Sequence, residues 1–271
     1  MSFMSVNLFS TDLYLIVLWR FFINFASAMH EVLVIIPTYN EIENIRQIID
    51  KVIGYPDGFD VLVIDDNSPD GTAAAVEELM AKYPGRVFLE KRAGKLGLGT
   101  AYIHGFKWAL ERDYGYVIEM DADFSHNPDD LTRLYHNSKD KGFDVTVGSR
   151  YISGVNVVNW PMGRVLMSYF ASAYVRLITR MKLRDATAGF VCYRRRVLES
   201  LQLDNIEFKG YAFQIEMKFK AHTKGFKVSE IPIIFVNRQL GTSKMNSSIF
   251  GEALFGVVKL KLNSFFRKSK F

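Results

Sequence analysis

The chain has 271 residues, 49% of them hydrophobic, and contains one cysteine, Cys192. This composition allows one large domain with a sizeable core, and it excludes a disordered chain and an internal disulfide. The formal net charge of +5 is compatible with nucleic acid, anionic lipid or a phosphorylated substrate as a partner, so the position of the basic residues must decide among them.

The first 28 residues differ from the rest of the chain. Their most apolar stretch, residues 13–25, is interrupted by Arg20 and is shorter than the roughly 20 apolar residues that cross a bilayer. Asp12 precedes this stretch where a signal peptide carries basic residues. Because the chain starts again at Met29, directly before a strand pattern, we interpret residues 1–28 as an appended, mis-called start. A membrane-surface helix is the alternative.

From residue 31 onward, short apolar runs alternate with segments of helical spacing. The pattern predicts strands at 32–36, 61–64, 87–89 and 116–120, and helices at 41–53, 72–83 and 99–112. Such an alternation indicates an α/β fold with a parallel sheet covered on both faces by helices. Residues 29–240 are therefore expected to form one domain, followed by a C-terminal segment at 241–271.

The segment 117–130, VIEMDADFSHNPDD, is the most informative part of the chain. A strand pattern ends directly before Asp121 and Asp123, and Asn127 and Pro128 predict the N-cap and first position of a helix. Two carboxylates of this kind suit Mg²⁺ or Mn²⁺, which leave ligand positions open for substrate phosphates. A solvated acidic turn is the alternative, because an Asp-x-Asp sequence by itself is common.

Polar residues also follow the first two predicted strands, at 37–41 and 65–66. Ligands of parallel sheets bind at the carboxyl ends of the strands, so these segments and residues 121–123 are expected to form one site. No G-x-G-x-x-G follows the first strand and no G-x-x-x-x-G-K-[ST] is present, which excludes a dinucleotide-binding fingerprint and a phosphate loop. The glycine-rich stretch 95–99 by itself predicts a flexible turn.

Eight motifs follow one another, in the order and spacing of one family, over roughly residues 31–246. They are IIPTYNEIENI at 35–45, VIDDNSPDGT at 63–72, GKLGLGTAYIHGF at 94–106, MDADFSHNP at 120–128, VGSRY at 147–151, DATAGF at 185–190, GYAFQIE at 210–216 and EIPIIFVNRQLGTSKM at 230–245. Together they resemble the family 2 glycosyltransferases of the GT-A fold, and within them the dolichol-phosphate (polyprenol-phosphate) mannose synthases. The resemblance implies a mainly parallel central sheet flanked by helices. It also implies inverting, metal-dependent transfer of mannose from GDP-mannose to dolichyl or polyprenyl phosphate.

The same resemblance implies roles for single residues. A Mg²⁺ or Mn²⁺ ion is expected at Asp121 and Asp123, with Ser125 at a third ligand position where some relatives carry a stronger ligand, Gln. The expected catalytic residues are Asp123, Arg150 and Arg238. The residues expected to bind the donor nucleotide are Pro37, Tyr39, Glu41, Ile64, Asp66, Asp121, Ala122, Asp123, Arg238 and Lys244.

Gln214 and Glu216 lie where related enzymes often place a catalytic carboxylate. We interpret Glu216 as a residue that lines the site and not as a general base. The alternative is that both side chains are buried and hydrogen-bonded and support the loop at 185–190.

The acceptor site is predicted from a helix that begins near Trp160-Pro161 and runs towards Met181. Arg164 and Ser168 lie four residues apart and so share one face of this helix. A guanidinium fork and a hydroxyl together suit a phosphate monoester. An ordinary solvated helix face is the alternative.

The apolar positions from residue 249 to residue 266 follow helical spacing, and basic residues crowd the end of the chain. This pattern predicts a basic amphipathic helix at a membrane surface, although a helix packed on the domain has the same spacing. We therefore expect a cytoplasmic protein that is peripherally associated with the cytoplasmic face of a membrane. No part of the sequence predicts the oligomeric state.

Three other functions are compatible with parts of the sequence. A related transferase would use UDP-glucose, UDP-N-acetylglucosamine or a non-lipid acceptor, since donor motifs are shared across the family. A non-catalytic nucleotide-sugar-binding protein would not need Asp121, Asp123, Arg150 and Arg238 together. A nucleic-acid-binding protein is suggested by net charge alone, and no recognised nucleic-acid-binding module accompanies that charge.

Overall fold

The computed structural model describes residues 31–210, 212–238 and 249–267. The strands are β1 Val32–Thr38, β2 Asp60–Asp65, β3 Val87–Lys91, β4 Tyr116–Glu119, β5 Val145–Ser149, β6 Val157–Val158, β7 Val191–Arg194, β8 Val228–Pro232 and β9 Phe235–Val236. The helices are α1 Ile42–Ile53, α2 Thr72–Lys82, α3 Leu98–Leu110, α4 Asp130–Lys139, α5 Met162–Thr179, α6 Arg195–Ser200, α7 Ala212–Thr223 and α8 Ile249–Arg267, with a 3₁₀ turn at Leu203–Asn205.

The main sheet of the described residues has the strand order β3-β2-β1-β4-β7-β5-β8. Neighbouring strands are parallel except for β7, which runs antiparallel to both β4 and β5. The second sheet pairs β6 with β9 in parallel. The α/β architecture with a mainly parallel sheet is thus confirmed, and the antiparallel β7 is a feature that the apolar runs did not predict.

The direction of β7 determines which loops reach the functional edge of the sheet. Glu119, at the carboxyl end of β4, lies opposite Val191, the first residue of β7. The loop 185–190 therefore meets the carboxyl ends of β1, β2 and β4, although it precedes its own strand. Because β5 and β8 are parallel to each other and end at this same edge, Arg150 and the segment 233–238 follow there too.

The core lies on both faces of the sheet. The side chains of β2 are all buried, as a strand covered on both sides requires. Helix α1 buries Ile45, Ile48, Ile49 and Val52 on the face that its 3.6-residue spacing predicts.

Helix α4 begins later than the sequence predicts. Its first residue is Asp130 and not Pro128. The side-chain oxygen of Asn127 accepts a hydrogen bond from the backbone N–H of Asp129 at 3.1 Å, and the Asn127 carbonyl accepts one from Asp130 at 3.0 Å. Asn127 and Pro128 therefore form a turn before the helix, which adds length to the loop that carries the two aspartates.

The C-terminal helix α8 packs on α5 and α7. Val257 and Leu260 are buried against the domain, whereas Phe255, Val258 and Leu262 are exposed. Packing on the domain thus accounts for one side of this helix, and the membrane-surface interpretation of its exposed apolar side stays a prediction. The expected extension 1–28 lies outside the described residues, and so do 241–248 and 268–271 of the expected C-terminal segment. In the part of the chain that the structure describes, we find no helix with the length and apolar character of a membrane span.

Candidate active site

A cavity of about 870 Å³ opens at the carboxyl edge of the sheet. Its wall includes residues from the ends of β1, β2, β4 and β5, from α5, and from the loops at 187–189 and 233–238. Most residues that the sequence assigned to the site meet in this one cavity. They are Pro37, Tyr39, Glu41, Asp66, Asp121, Ala122, Asp123, Ser125, Arg150, Arg164, Ser168, Gln214 and Arg238.

The two aspartates at the end of β2 have different tasks. Asp65 accepts hydrogen bonds from the hydroxyls of Thr38, at 2.9 Å, and Ser68, at 2.6 Å, and so ties β1 to the following turn. Asp66 lines the cavity and accepts a 2.6 Å hydrogen bond from Nε of Arg92. Arg92 also donates to Thr100 Oγ1 at 2.7 Å, so one guanidinium joins β2, β3 and the start of α3 around the cavity.

The glycine-rich stretch 95–99 has a more specific role than a flexible turn. Gly97 lines the cavity. Its φ is +105°, a backbone conformation that residues other than glycine rarely adopt. A Cβ on Gly99 would lie 2.8 Å from the side chain of Phe213, so this glycine permits close packing of α3 on α7. Lys95 lies above the ring of Tyr39 at 5.3 Å and adds a cation to this side of the cavity.

Asp121 and Asp123 lie at the turn after β4 and both face the cavity. Burial raises the pKa of Asp121 to about 7, and the charge of Asp123 adds to the shift. One oxygen of Asp123 accepts a 3.0 Å hydrogen bond from the backbone N–H of Ser125, and the other lies 2.8 Å from the guanidinium of Arg238. The turn therefore holds two carboxylates that repel each other and one arginine that partly neutralises them.

His126 also lines the cavity and holds the same turn in place. Its ring stacks on Phe190 at 4.8 Å, and its Nδ1 accepts a 3.2 Å hydrogen bond from the backbone N–H of Asp121. Burial lowers the pKa of His126 to about 4, so the ring is neutral at neutral pH and can accept this hydrogen bond.

The donor set fits a hard divalent cation. Among the described residues, no cluster of three acidic, histidine or cysteine side chains forms a closed metal site. Mg²⁺ and Mn²⁺ need few carboxylates when substrate phosphates and water complete their shell. The raised pKa of Asp121 also shows that the turn gains from an added positive charge. Ser125 lines the cavity beside Asp123, and its backbone N–H is already used by that carboxylate.

Arg150 reaches the cavity from the end of β5, but its guanidinium is held by a buried acid. Nε and Nη2 donate to the two carboxylate oxygens of Asp185, each at 2.7 Å, and Nη2 also donates to Thr187 Oγ1 at 2.9 Å. Burial alone would raise the pKa of Asp185, yet the charge and hydrogen bonds of Arg150 lower it below its ordinary value. The ion pair of Arg150 and Asp185 joins β5 to the loop 185–190 and fixes the orientation of the Arg150 guanidinium.

The predicted acceptor pair lies on the inner side of α5. Arg164 and Ser168 both line the cavity. The Arg164 guanidinium lies 4.0 Å from the ring centre of Trp160 and donates to Asn237 Oδ1 at 3.1 Å. Because β6 pairs with β9, the segments that carry Trp160 and Asn237 are adjacent, and both residues contact Arg164.

A buried polar network supports the floor of the cavity. Gln214 donates to Glu119 at 2.9 Å, and Lys218 donates to the carbonyl of Ala188 at 2.6 Å and to the side-chain oxygen of Gln214 at 3.1 Å. Burial raises the pKa of Glu119 to about 8 and lowers the pKa of Lys218 to about 8. Gln214 lines the cavity, and through Lys218 it also supports the loop 185–190. Both interpretations of Gln214, as a residue of the site and as a buried support of this loop, therefore apply.

We expect Lys218→Met to lower the free energy of unfolding by about 1–3 kcal/mol, because it leaves buried acceptors without their donor. Urea unfolding measures this change. Lys141→Met, at an exposed position, is the matched control and should remain within about 0.5 kcal/mol of the wild type. Equal stability of the two variants would show that the buried amine does not hold the loop.

Two expectations about the site need correction, and one lies outside the structure. Ile64 is fully buried in the same apolar cluster as Ile35 and does not line the cavity. Glu216 does not line it either, since its carboxylate accepts the backbone N–H groups of Glu207 and Phe208 at 2.9 and 3.0 Å and pairs with Lys220 at 2.7 Å. Lys244 is not among the described residues.

Several residues that shape the site were not predicted from the sequence. Arg92, His126, Asp185 and Lys218 each hold a cavity-lining residue in place. Two of them left a signal in the sequence, because Arg92 directly follows β3 and Asp185 is the first residue of the motif DATAGF at 185–190. The stacking of His126 and the burial of Lys218 depend on distant elements and leave no local signal.

Comparison with known proteins agrees with this architecture. The family described as Glycosyl transferase family 2 matches residues 33–202. Polyprenol monophosphomannose synthase of Mycolicibacterium smegmatis is 46% identical over 227 residues, covering 84% of this chain and 85% of that protein. Undecaprenyl-phosphate mannosyltransferase of Micrococcus luteus is 44% identical over 228 residues, covering 84% and 93%.

A solved structure with the same fold is glucosyl-3-phosphoglycerate synthase from Mycobacterium tuberculosis, in complex with Mn²⁺, UDP-glucose and phosphoglyceric acid. It matches with a TM-score of 0.61 at 17% identity, over 88% of this chain and 81% of that chain. The family match, the two sequence relatives and the shared fold lead to one conclusion. This chain belongs to glycosyl transferase family 2 and is a glycosyltransferase of the GT-A fold.

Proposed function

We propose that this glycosyltransferase transfers mannose from GDP-mannose to a polyprenyl phosphate, with inversion at the anomeric carbon and with Mg²⁺ or Mn²⁺. The names of both sequence relatives describe a polyprenyl-phosphate acceptor and mannose. The observation that carries the proposal is the shared cavity at the carboxyl edge of the sheet. It joins the carboxylates of Asp121 and Asp123 to the acceptor pair Arg164 and Ser168.

The donor occupies the side of the cavity formed by the ends of β1 and β2. Tyr39, Glu41 and Asp66 line this side and bind the nucleoside, with Pro37 and the backbone at Ala122 beside them. Asp121 and Asp123 would hold a divalent ion, which would supply positive charge for the diphosphate. Arg238, which already reaches Asp123, binds the same diphosphate as it leaves. Lys244 is proposed to assist from the segment that follows.

The acceptor phosphate binds Arg164 and Ser168 and needs no strong general base. Its attacking oxygen is largely ionised at neutral pH, because the second pKa of a phosphate monoester is about 6. This oxygen forms a bond to C1 of mannose, and the bond from C1 to the diphosphate breaks, which releases GDP. Direct attack from the opposite side of C1 converts an α-linked donor into a β-linked product. The arginines bring the two anions together.

A transfer assay tests this proposal. Purified protein, radiolabelled GDP-mannose and a polyprenyl phosphate in detergent should give a labelled lipid that extracts into organic solvent. EDTA should reduce the rate to background, and added Mg²⁺ or Mn²⁺ should restore it. EDTA would remove the divalent ion from Asp121 and Asp123, so that only the arginines would remain to neutralise the leaving diphosphate.

Parallel reactions with UDP-glucose and UDP-N-acetylglucosamine provide the control for the donor. Labelling from either of these donors in place of GDP-mannose would overturn the assignment of the sugar and the nucleotide. Labelling that persists in EDTA would overturn the metal dependence. Absence of lipid product from all three donors would overturn the acceptor assignment.

A further inference from the structure

One aromatic ring of the cavity wall, that of Trp160, contacts two of the arginines that the proposed function uses. The Arg164 guanidinium lies 4.0 Å from the centre of the indole ring, and the Arg150 guanidinium lies 5.6 Å from it. All three side chains line the cavity. Both distances are within the range in which the face of an indole ring attracts a cation. Trp160 is therefore a shared contact of two cations that come from different elements, the end of β5 and helix α5.

The chain segment before α5 fixes the position of Trp160. Strand β6 pairs with β9, and Asn159 then turns the chain with φ of +60°, a left-handed conformation that asparagine adopts more readily than most residues. The indole ring packs edge to face on Phe235 of β9, with the ring centres 5.3 Å apart. Arg164 follows in the first turn of α5. The ring is thus held by the two-stranded sheet while it contacts a side chain of the helix.

Arg150 meets the same ring from a fixed position. Its Nε and Nη2 donate to the carboxylate of Asp185, so the guanidinium cannot turn away from the loop 185–190. Three aromatic rings surround it, with their centres 5.3 Å away for Tyr151, 5.6 Å for Trp160 and 5.7 Å for Phe235. A planar, weakly hydrated guanidinium suits such surroundings better than an ammonium group does.

Two guanidiniums beside one ring repel each other. Asp185 offsets the charge of Arg150, whereas Asn237 and Trp160 contact Arg164 as neutral groups. An acid beside Arg164 would also hold the cation, but its negative charge would repel an incoming phosphate. The π face of an indole attracts the cation without that repulsion. A neutral aromatic ring is therefore suited to hold cations in a site whose ligand is an anion.

We propose that Trp160 is a positioning residue of the acceptor site, whose indole ring holds the guanidiniums of Arg164 and Arg150 side by side so that both bind one phosphate monoester. This inference rests on the proposed function, because it assumes a phosphate acceptor. It gives Trp160 no contact with the reacting atoms. Cations that are already in place lose less conformational freedom when the phosphate binds. Removal of the ring should therefore weaken acceptor binding and leave donor binding unchanged.

Steady-state kinetics of two substitutions and one control test this role. Trp160→Leu removes the aromatic ring, whereas Trp160→Phe keeps a ring and removes the indole N–H. Arg112→Met is the control, because it removes a comparable contact, 3.5 Å from the ring of Trp108, outside the cavity. We expect the KM for polyprenyl phosphate to rise about tenfold in Trp160→Leu and to stay within about threefold of the wild type in Trp160→Phe. The control should behave like the wild type. The KM for GDP-mannose should not change in any of them, a difference between the two substrates that a general loss of structure would not produce.

A double-mutant cycle tests whether Trp160 acts through Arg164. In the Arg164→Met background the ring no longer has this guanidinium to hold, so Trp160→Leu should raise the acceptor KM by at most about threefold instead of about tenfold. An effect of Trp160→Leu that is equally large in both backgrounds would overturn the positioning role.

Calorimetric titration with a short-chain, water-soluble prenyl monophosphate separates this proposal from the proposed function. The wild type should bind this probe, and Trp160→Leu should bind it about tenfold more weakly while it binds GDP with Mg²⁺ as the wild type does. If this difference is found but the wild type transfers no mannose to any polyprenyl phosphate, the proposed function fails and the role of Trp160 stands.

Three other results would overturn the role of Trp160. The first is an unchanged acceptor KM and probe affinity in Trp160→Leu, with normal transfer by the wild type, which would leave the proposed function in place. The second is a Trp160→Phe variant as impaired as Trp160→Leu, since the indole N–H would then matter and not the ring face. The third is an equal loss of affinity for the prenyl phosphate and for GDP, which would assign Trp160 to the general packing of the cavity. A wild type that binds no prenyl phosphate would overturn both proposals.

Discussion

Asp123→Ala is expected to abolish transfer, with a loss in kcat of at least about 10²–10³-fold, while the free energy of unfolding changes little. Asp123 provides one of the two carboxylates at the diphosphate end of the cavity and the partner of Arg238. Removing it leaves Asp121 alone to bind the cation and frees Arg238 from its position. The measurement is single-turnover transfer, together with urea unfolding.

Two further variants make this result specific. Asp123→Asn keeps an oxygen for the backbone N–H of Ser125 and removes only the charge, so it should be as inactive as the alanine variant. Asp113→Ala, at an exposed position before β4 and away from the cavity, should retain wild-type activity. Turnover close to wild type in either Asp123 variant would overturn the metal-site assignment.

Arg150→Ala is expected to cost about 3–5 kcal/mol of stability, because it leaves the fully buried carboxylate of Asp185 without its charged partner. Arg150→Ala/Asp185→Asn should be more stable than the single variant, since no uncompensated charge remains. Urea unfolding of the wild type, the two single variants and the double variant measures the coupling. Arg46→Ala, which breaks an exposed pair with Glu78, should cost less than about 1 kcal/mol.

The same pair predicts a dependence of stability on pH. In the wild type the pKa of Asp185 is lowered, so its contribution is present above the unfolded pKa and is lost as pH falls through the folded pKa. Without Arg150, burial raises that pKa, and the cost of the substitution should therefore shrink at about pH 4.5 relative to pH 7. A cost that is equal at both pH values would show that Asp185 is not the group left uncompensated.

Activity of the double variant tests whether Arg150 also acts at the site. If the guanidinium contributes to binding the diphosphate or the acceptor phosphate, transfer should remain low although stability recovers. Recovery of both quantities would restrict Arg150 to holding the loop 185–190.

Alternation of strands and helices could be predicted from the sequence because apolar spacing is a local property. The boundaries of β1, β2, α1 and α2 agree within two residues with the predicted ranges. The parallel arrangement then brought residues 37–41, 65–66 and 121–123 to one edge, since parallel strands end on the same side. The cavity position of Asp66, Asp121 and Asp123 follows from this rule without any knowledge of contacts.

The tertiary structure decided what each neighbouring side chain does. Asp65 and Asp66 are adjacent and chemically identical, yet one ties the turn to β1 and the other faces the cavity with Arg92. The sequence around Gln214 and Glu216 does not show which of the two side chains faces the cavity. In the structure Gln214 lines the cavity, whereas Glu216 accepts a hydrogen bond from the backbone of Phe208. The antiparallel direction of β7 brought Asp185 to Arg150, a pairing that no local pattern specifies.

The sequence by itself thus determined the family, the order of elements and the edge of the sheet where the chemistry occurs. Only the tertiary structure decided which charges are paired and which isoleucine and glutamate belong to the core. The spacing of apolar residues along the chain predicts helices and strands, because it depends only on neighbouring residues. Burial and pairing depend instead on residues that are distant in the chain, such as Phe190 beneath His126 and Thr179 at the point where α8 reaches α5.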